Sequence, residues 1–298
     1  MRILITGSTG YVGSHLVARL AAQNHEVLAL VRQHRDIHLF ADVQQITLTE
    51  DQEDLRRAVA KFDPEICIHL AAHLTSADDY ETQQKLIEVG VRYTGRILDI
   101  LKDLHLKLFI NTGTFAEYYQ GDTALDPAYL YAASKIAARA FVKYYASAYH
   151  FKMTTIVPYT IYGGKTNQKK VIDLIYESTH SKMSIDLTLG EQILDFIHID
   201  DVVDFYLLII REHESVPDNS EFFLGTGQGS TLRNLATIVE EVSGQEVNIN
   251  WGAKAYRERD THYAVANTSL QYRLWKWRPK ISLVEGVKEY INRREYAA

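Results

Sequence analysis

The chain has a single cysteine, Cys67, which excludes an internal disulfide framework and predicts a reducing compartment. No apolar run reaches membrane-spanning length, and the chain opens on a strand-like segment rather than a signal peptide. We therefore expect a cytoplasmic protein. The net charge of -6 gives no basic excess, which argues against nucleic acid or an anionic membrane as partner. Repeats and low-complexity tracts are also missing.

Strand-like and helix-like segments alternate through the first half of the chain. The strand-like segments are 2–5, 26–31, 66–70, 107–111 and 153–157, with a further short strand at 46–48. The helix-like segments are about 12–23, 51–62, 80–103 and 129–149. Strands separated by helices run parallel in one sheet, so this α/β pattern predicts a doubly wound parallel sheet over residues 1–160.

After Tyr159 the predicted elements become shorter. Helices are expected at 167–179, 200–213 and 231–243, and strands at 184–189, 191–197 and 221–224. Thr231 is expected to cap the helix that Gly244 ends. This part predicts a smaller C-terminal α/β lobe over 161–298, with a segment near 190–215 returning to the first domain.

Three glycines, Gly7, Gly10 and Gly13, lie between the first strand and an apolar helix. The backbone N–H groups of such a turn and the positive end of the helix dipole attract phosphates, and side chains at these positions would block their approach. The turn therefore predicts a dinucleotide-binding site. The alternative is a glycine-rich turn that only closes a βα connection.

Tyr131 and Lys135 are four residues apart in a predicted helix, so they share a face. A free tyrosine has a pKa of ~10, and a neighbouring cation favours the phenolate. The pair can therefore form a proton donor for a carbonyl group. Thr114, just after the strand at 107–111, can hold a substrate oxygen through its hydroxyl. The alternative is two surface residues and a threonine that caps a turn.

The chain resembles the extended short-chain dehydrogenase/reductases, the NAD-dependent epimerase/dehydratase family that acts on nucleotide sugars. The matching motifs, in the family's order, are 6–13 (TGSTGYVG), 69–72 (HLAA), 131–135 (YAASK), 158–163 (PYTIYG) and 195–202 (DFIHIDDV). The match extends from residue 1 to about 290. The resemblance implies a Rossmann-type fold, a nicotinamide cofactor and a nucleotide-sugar substrate.

The resemblance also implies residue roles. Tyr131 would be the general acid/base, Lys135 would hold the nicotinamide ribose and lower the Tyr131 pKa, and Thr114 would lie beside the substrate. The implied cofactor-binding residues are Gly7, Thr9, Gly10, Tyr11, Val12, Gly13, Arg32, Leu70, Ala71, Ala72, Tyr131, Lys135, Tyr159 and Ile161. The implied substrate-binding residues are Thr114, Phe115, Tyr131, Thr160 and Arg257, and no metal ligands are implied.

Two implied roles have an alternative. His198 and Asp201 are either a catalytic pair or, as we favour, residues that begin a helix and brace the site. Arg257 either binds the nucleotide diphosphate or is an exposed loop cation.

Departures from the family pattern predict which nicotinamide cofactor this chain uses. Val31 stands where NAD-binding members have an aspartate, and Arg32 follows it, so we predict NADP(H), with Arg32 and its neighbour Arg35 on the 2′-phosphate. A solvated Arg32 is the alternative. Where family members have an Asp-Leu pair near the adenine, this chain has Thr47 and Leu48. Where they have an asparagine in a helix, it has Gly90.

The residues after Thr114 exclude one reaction. Dehydratases of this group have Thr-Asp-Glu there, whereas this chain has Thr114, Phe115 and Ala116, and Glu117 is one residue too far. Without those carboxyls, 4,6-dehydration lacks an acid/base pair. Residues 111–115 and 159–163 look most like the reductases that make CDP-linked dideoxyhexoses.

The sequence therefore predicts NADPH-dependent reduction of the C4 ketone of a nucleotide-linked 4-keto-6-deoxyhexose. Two alternatives stay open: an NAD-dependent nucleotide-sugar C4-epimerase and a non-catalytic NADP-binding sensor or scaffold. Family members often form homodimers through the helices at 80–103 and 129–149, and a homodimer is expected here.

Overall fold

The computed structural model describes residues 1–32, 43–48, 51–119, 121, 124–166 and 169–295. The described strands are β1 (Arg2–Thr6), β2 (Glu26–Val31), β3 (Gln44–Thr47), β4 (Ile66–His69), β5 (Leu108–Thr112), β6 (Lys152–Pro158), β7 (Thr160–Tyr162), β8 (Ile185–Leu187), β9 (Ile193–His198), β10 (Ser220–Leu224), β11 (Gly229–Thr231), β12 (Ile249–Trp251) and β13 (Tyr263–Ala264).

The described α-helices are α1 (Tyr11–Ala22), α2 (Gln52–Phe62), α3 (Tyr80–Leu86), α4 (Tyr93–Leu101), α5 (Leu130–Tyr149), α6 (Val171–Ser178), α7 (Ile199–Arg211), α8 (Leu232–Ser243), α9 (Ser269–Trp275) and α10 (Leu283–Glu295). None of the helices in the described ranges is long and apolar enough to cross a membrane.

The chain divides into two compact units. The first unit consists of Met1–Glu117, Tyr129–Val157 and Val203–Phe222. The second unit consists of Tyr118–Ala128, Pro158–Val202 and Phe223–Ala298.

The main sheet has seven strands in the order β10-β6-β5-β4-β1-β2-β3. The pairs from β6 to β3 are parallel, which confirms the predicted doubly wound α/β sheet. β4 and β5 are buried along their whole length, as strands covered on both faces must be. Cys67 is one of these buried residues, and burial raises the pKa of its thiol.

The helix predicted over 80–103 is not continuous. A π-helical segment, Ile87–Arg92, separates α3 from α4, and Gly90 lies inside it. A Cβ on Gly90 would lie 3.0 Å from Ser134 Oγ of α5, so glycine lets the two helices approach closely. The replacement of the family's asparagine by Gly90 therefore has a packing consequence.

The second unit contains two small sheets. β9 pairs with β7, β11 and β13, and β8 pairs with β12. Its apolar core is formed by side chains of α6, α8 and α10 packed with those of β7–β9. The predicted Thr231 cap is confirmed, because its hydroxyl accepts a hydrogen bond from Asn234 N at 3.0 Å.

Candidate active site

The first candidate site residues lie where the strand order reverses, between β1 and β4. Gly7 follows β1 with a φ of +70°, and a Cβ there would lie 2.7 Å from Ala71 N. A Cβ on Gly13 would lie 2.2 Å from the Gly7 carbonyl oxygen, and one on Gly10 would lie 3.1 Å from it. The three glycines therefore let the turn, the helix and the segment after β4 pack together.

The start of α1 is suited to an anionic group. Gly10 is its N-cap and has no side chain to satisfy the N–H groups of the first turn, which contains no acidic residue. Thr9 is exposed, and Tyr11 and Val12 are half-buried. The Ser8 hydroxyl is buried and has no hydrogen-bond partner among the described residues. This orphaned donor in a glycine cradle fits the pyrophosphate of a dinucleotide.

A chain of hydrogen bonds connects β1, which precedes this turn, to β4 and α4. Thr6 Oγ1 accepts from Ala71 N at 3.2 Å and lies 2.9 Å from His69 Nδ1. His69 Nε2 lies 2.9 Å from Thr94 Oγ1, which donates to Gly90 O at 2.6 Å. These partners require His69 to carry its proton on Nε2. Burial, assisted by the charge of Lys135, lowers the pKa of His69 to about 3, so the ring is neutral.

The other residues of the first unit that the resemblance assigns to the cofactor lie at the carboxyl ends of the strands, as the glycine turn does. Leu70 N donates to Thr6 O at 3.2 Å, and Ala72 is exposed just beyond. Thr6 is in register with Leu30 of β2, so exposed Arg32 lies past the end of β2, beside the glycine turn. Arg35 lies outside the described residues.

Tyr131 and Lys135 lie on the buried face of α5, with exposed fractions of 8% and 5%. The interpretation of the pair as two surface residues is therefore wrong. Thr114 is also buried, just after β5, and its hydroxyl accepts a weak hydrogen bond from Ala116 N at 3.4 Å. The neighbouring Phe115 is half-buried.

The predicted direction of the Tyr131 pKa is wrong. Burial raises the pKa of Tyr131 above its ordinary value, and Tyr129 and Glu117 add to the rise. The desolvation of a phenolate outweighs any stabilisation by a nearby cation. Burial lowers the pKa of Lys135 to about 8, against the opposing effect of the Glu117 carboxylate. Tyr131 is thus a phenol that keeps its proton at neutral pH.

Glu117 lies one residue beyond the position at which dehydratases have their carboxyls. Both of its carboxylate oxygens have partners. Oε1 accepts from Thr114 N at 2.8 Å, and Oε2 pairs with Arg139. The other terminal nitrogen of Arg139 pairs with Glu221. No sequence pattern predicts this buried cluster, because the three residues are far apart in the chain and belong to no motif.

The other site candidates lie in the second unit. Tyr159 is buried, and Thr160 and Ile161 are half-buried in β7. Arg257 is exposed, and its backbone N–H donates to Asp260 at 2.8 Å.

The motif at 195–202 has a bracing role within the second unit. The Asp201 carboxylate accepts hydrogen bonds from Lys280 N at 2.9 Å and Ile281 N at 3.0 Å. His198 Nδ1 accepts from Asp200 N at 3.3 Å, and its ring lies against Gly163. Desolvation lowers the pKa of His198. These contacts support the structural interpretation of His198 and Asp201 over a catalytic one.

Known proteins resemble this chain over nearly its whole length. A CDP-abequose synthase of Salmonella muenchen is 27% identical over 99% of this chain and 98% of its own length. A UDP-glucose 4-epimerase of Mycolicibacterium smegmatis is 24% identical over 98% of this chain and 98% of its own length. The structure of a Thermus thermophilus UDP-glucose 4-epimerase in complex with NAD superposes with a TM-score of 0.85, at 22% identity over 100% of both chains. Residues 3–225 match the NAD dependent epimerase/dehydratase family, and the chain belongs to that family.

Proposed function

We propose that this protein is an NADPH-dependent reductase of the C4 ketone of a nucleotide-linked 4-keto-6-deoxyhexose. The observation that carries the proposal is the buried Tyr131–Lys135 face of α5, in the same unit as the glycine turn and Thr114. The full-length similarity to CDP-abequose synthases supports a nucleotide-sugar substrate.

The proposed roles follow from the chemistry of the side chains. Residues 7–13 would bind the cofactor pyrophosphate, Lys135 its nicotinamide ribose, and Leu70, Ala71, Ala72, Tyr159 and Ile161 its remaining surface. When bound, the reduced nicotinamide supplies the hydride. Thr114 would hydrogen-bond the ketone oxygen, and the Tyr131 phenol would give its proton to the same oxygen. Thr160, Phe115 and Arg257 are assigned to the sugar nucleotide.

Reduction agrees with the structure better than dehydration does. Phe115 and Ala116 carry no acid or base, and the Glu117 carboxylate is held by Thr114 N–H and Arg139.

The experiment that tests the proposal is an NADPH-oxidation screen. Purified protein is mixed with NADPH and a panel of CDP-, dTDP-, GDP- and UDP-linked 4-keto-6-deoxyhexoses, and the absorbance of NADPH is followed. We expect stoichiometric loss of NADPH with at least one of them, and a C4 alcohol as product. No oxidation with any member of the panel would refute the proposal.

The similarity to UDP-glucose 4-epimerases favours a second candidate, an NAD-dependent nucleotide-sugar C4-epimerase. An epimerase regenerates its cofactor in each turnover, so it consumes none. Protein that is purified with tightly bound NAD and interconverts C4 epimers without added cofactor would support this candidate. Cofactor consumption in proportion to product would exclude it.

We further propose that Arg32 selects NADPH through the 2′-phosphate. Replacing Arg32 with Ala removes a charge-assisted hydrogen bond of about 1.5–3 kcal/mol, so the Kd for NADPH should rise by about 10- to 100-fold. The Kd for NADH should change little. Both constants are measured by the quenching of protein fluorescence.

Arg57→Ala is the matched control for this change, because Arg57 is exposed on α2 and paired with Asp54. It should leave both affinities unchanged. Tighter binding of NADH than of NADPH by the unchanged protein would contradict the assignment.

The outer face of α4 and α5 supports a homodimer. Phe141, Tyr144 and Tyr149 are 44%, 66% and 39% exposed, and the Phe141 ring lies next to Gly95 of α4. We propose that these helices pair with their copies in a four-helix bundle. Phe141→Glu should convert a dimer to a monomer in analytical ultracentrifugation, and the control Met183→Glu, at an 80% exposed position, should not. A monomeric unchanged protein would contradict this.

A further inference from the structure

The buried face of α5 carries a third charged residue that the proposed reaction does not use. Arg139 follows Lys135 by four residues and Tyr131 by eight, and it is 4% exposed. A phenol, an ammonium and a guanidinium therefore share one buried face of this helix. Two cations one helical turn apart in the interior destabilise each other unless an anion lies close to both.

Glu117 is the anion that pairs with Arg139, and it also closes the turn that carries Thr114. Its Oε1 accepts from Thr114 N at 2.8 Å, and its own N–H donates to Thr114 O at 3.0 Å. Two reciprocal hydrogen bonds thus fix the backbone on both sides of the Thr114 side chain. A Cβ on Gly113 would lie 2.6 Å from Glu117 Oε1 and 3.1 Å from Arg139 Nη2, so the carboxylate and guanidinium fill this space.

The charge of Glu117 reaches the catalytic pair. Its carboxylate raises the pKa of Lys135, whereas the Arg139 guanidinium lowers it. Arg139 also pairs with Glu221, whose side chain is 30% exposed. Burial raises the pKa of Glu117, and the Arg139 guanidinium and the Thr114 N–H oppose that rise. Glu117 is therefore a buried carboxylate paired with Arg139, one helical turn from Lys135.

We propose that Glu117, held by Arg139, is a positioning residue for ketone reduction: it fixes the turn that carries Thr114 and places a carboxylate against the cationic face of α5. This inference rests on the proposed function for its catalytic consequence. Glu117 touches neither substrate nor cofactor in this role and acts through Thr114 and Lys135.

The test is Glu117→Gln, which keeps the size and an acceptor oxygen but removes the charge. Lys135 should then lose its proton at a lower pH, because an opposite charge nearby shifts a pKa by about one unit or more. The upper limb of the pH profile of kcat should move down by about one pH unit, and kcat at neutral pH should fall about tenfold with a nearly unchanged KM. The other groups that act on or lie beside Lys135 are Arg139, His69 and Tyr131, and they are unchanged.

Two further variants separate positioning from general loss of structure. Glu65→Gln makes the same change at the opposite end of the sheet, where Glu65 pairs with Lys107 and accepts from Arg2 N. It should lower stability without moving the pH profile. The double variant Glu117→Gln with Arg139→Gln removes both opposing charges, so its upper limb should lie closer to that of the unchanged protein. If the single variant Glu117→Gln does not fold, the double variant is measured in its place.

A titration of Lys135 by NMR needs no substrate and decides the inference independently. Lysine side chains are isotopically labelled, and the Lys135 signal is assigned by its loss in Lys135→Met. The midpoint for Lys135 should fall in Glu117→Gln and stay in place in Glu65→Gln. An unchanged midpoint, or equal shifts in both variants, would overturn the inference. If no sugar nucleotide in the screen is reduced, the reductase proposal is refuted, but the NMR midpoints of Lys135 can still be compared.

Discussion

Replacing Tyr131 with Phe is expected to lower kcat for ketone reduction by about 10²- to 10⁴-fold, the usual contribution of a positioned general acid. The change removes one oxygen from a buried side chain and leaves the ring in place, so the fold and the Kd for NADPH should be unchanged. The measurement is steady-state NADPH oxidation with the sugar nucleotide found in the screen, together with a fluorescence titration of NADPH.

The matched control for that variant is Tyr118→Phe. Tyr118 is another buried tyrosine, in the second unit, whose ring packs against Phe223. It should keep kcat within a few-fold, which separates loss of the proton donor from loss of a buried hydroxyl in general. Turnover by Tyr131→Phe close to that of the unchanged protein would remove Tyr131 from the reaction.

The raised pKa of Tyr131 also determines how activity should depend on pH. Because burial keeps the phenol protonated well above neutral pH, Tyr131 should not set the alkaline limit of reduction. Lys135, with its pKa lowered to about 8, is the group that titrates first. Activity that needs the Lys135 ammonium is therefore complete below that value and falls as the pH rises through it.

The sequence alone predicts the features that depend on residues close together in the chain. The strands of the main sheet, the glycine turn and the shared face of Tyr131 and Lys135 follow from local spacing, and the structure contains all of them. The Thr231 cap is of the same kind, because a capping hydroxyl and its N–H partner lie three residues apart.

What the sequence could not predict depends on contacts between distant segments. Glu117 and Arg139 are 22 residues apart, and Arg139 and Glu221 are 82 apart, so no motif connects them. The strand predicted at 221–224 was expected among the short elements of the second half, yet β10 joins the main sheet beside β6. The pKa of Tyr131 was predicted in the wrong direction for the same reason, since burial is a property of the whole fold.

The second large effect is expected at the glycine turn, where Gly13→Ala should abolish cofactor binding. A Cβ at this position would lie 2.2 Å from the Gly7 carbonyl oxygen and 2.8 Å from Ser8 Cα. Both neighbours are backbone atoms, so the turn itself must move, and with it the N–H groups that would face the phosphates of a bound dinucleotide. The Kd for NADPH should rise by about 100-fold or more, in line with a lost set of charge-assisted hydrogen bonds of roughly 3 kcal/mol.

Gly95→Ala is the control that isolates this steric cause. Gly95 also lies in a helix, α4, but a Cβ there would meet the Phe141 ring at 3.6 Å, an ordinary van der Waals distance. Alanine favours a helix over glycine by about 1 kcal/mol, so this variant should unfold at a similar or higher temperature and bind NADPH normally. Normal NADPH affinity in Gly13→Ala would show that the turn does not hold the cofactor. Parallel loss in both variants would trace the effect to helix stability instead, because each change adds a methyl group inside a helix.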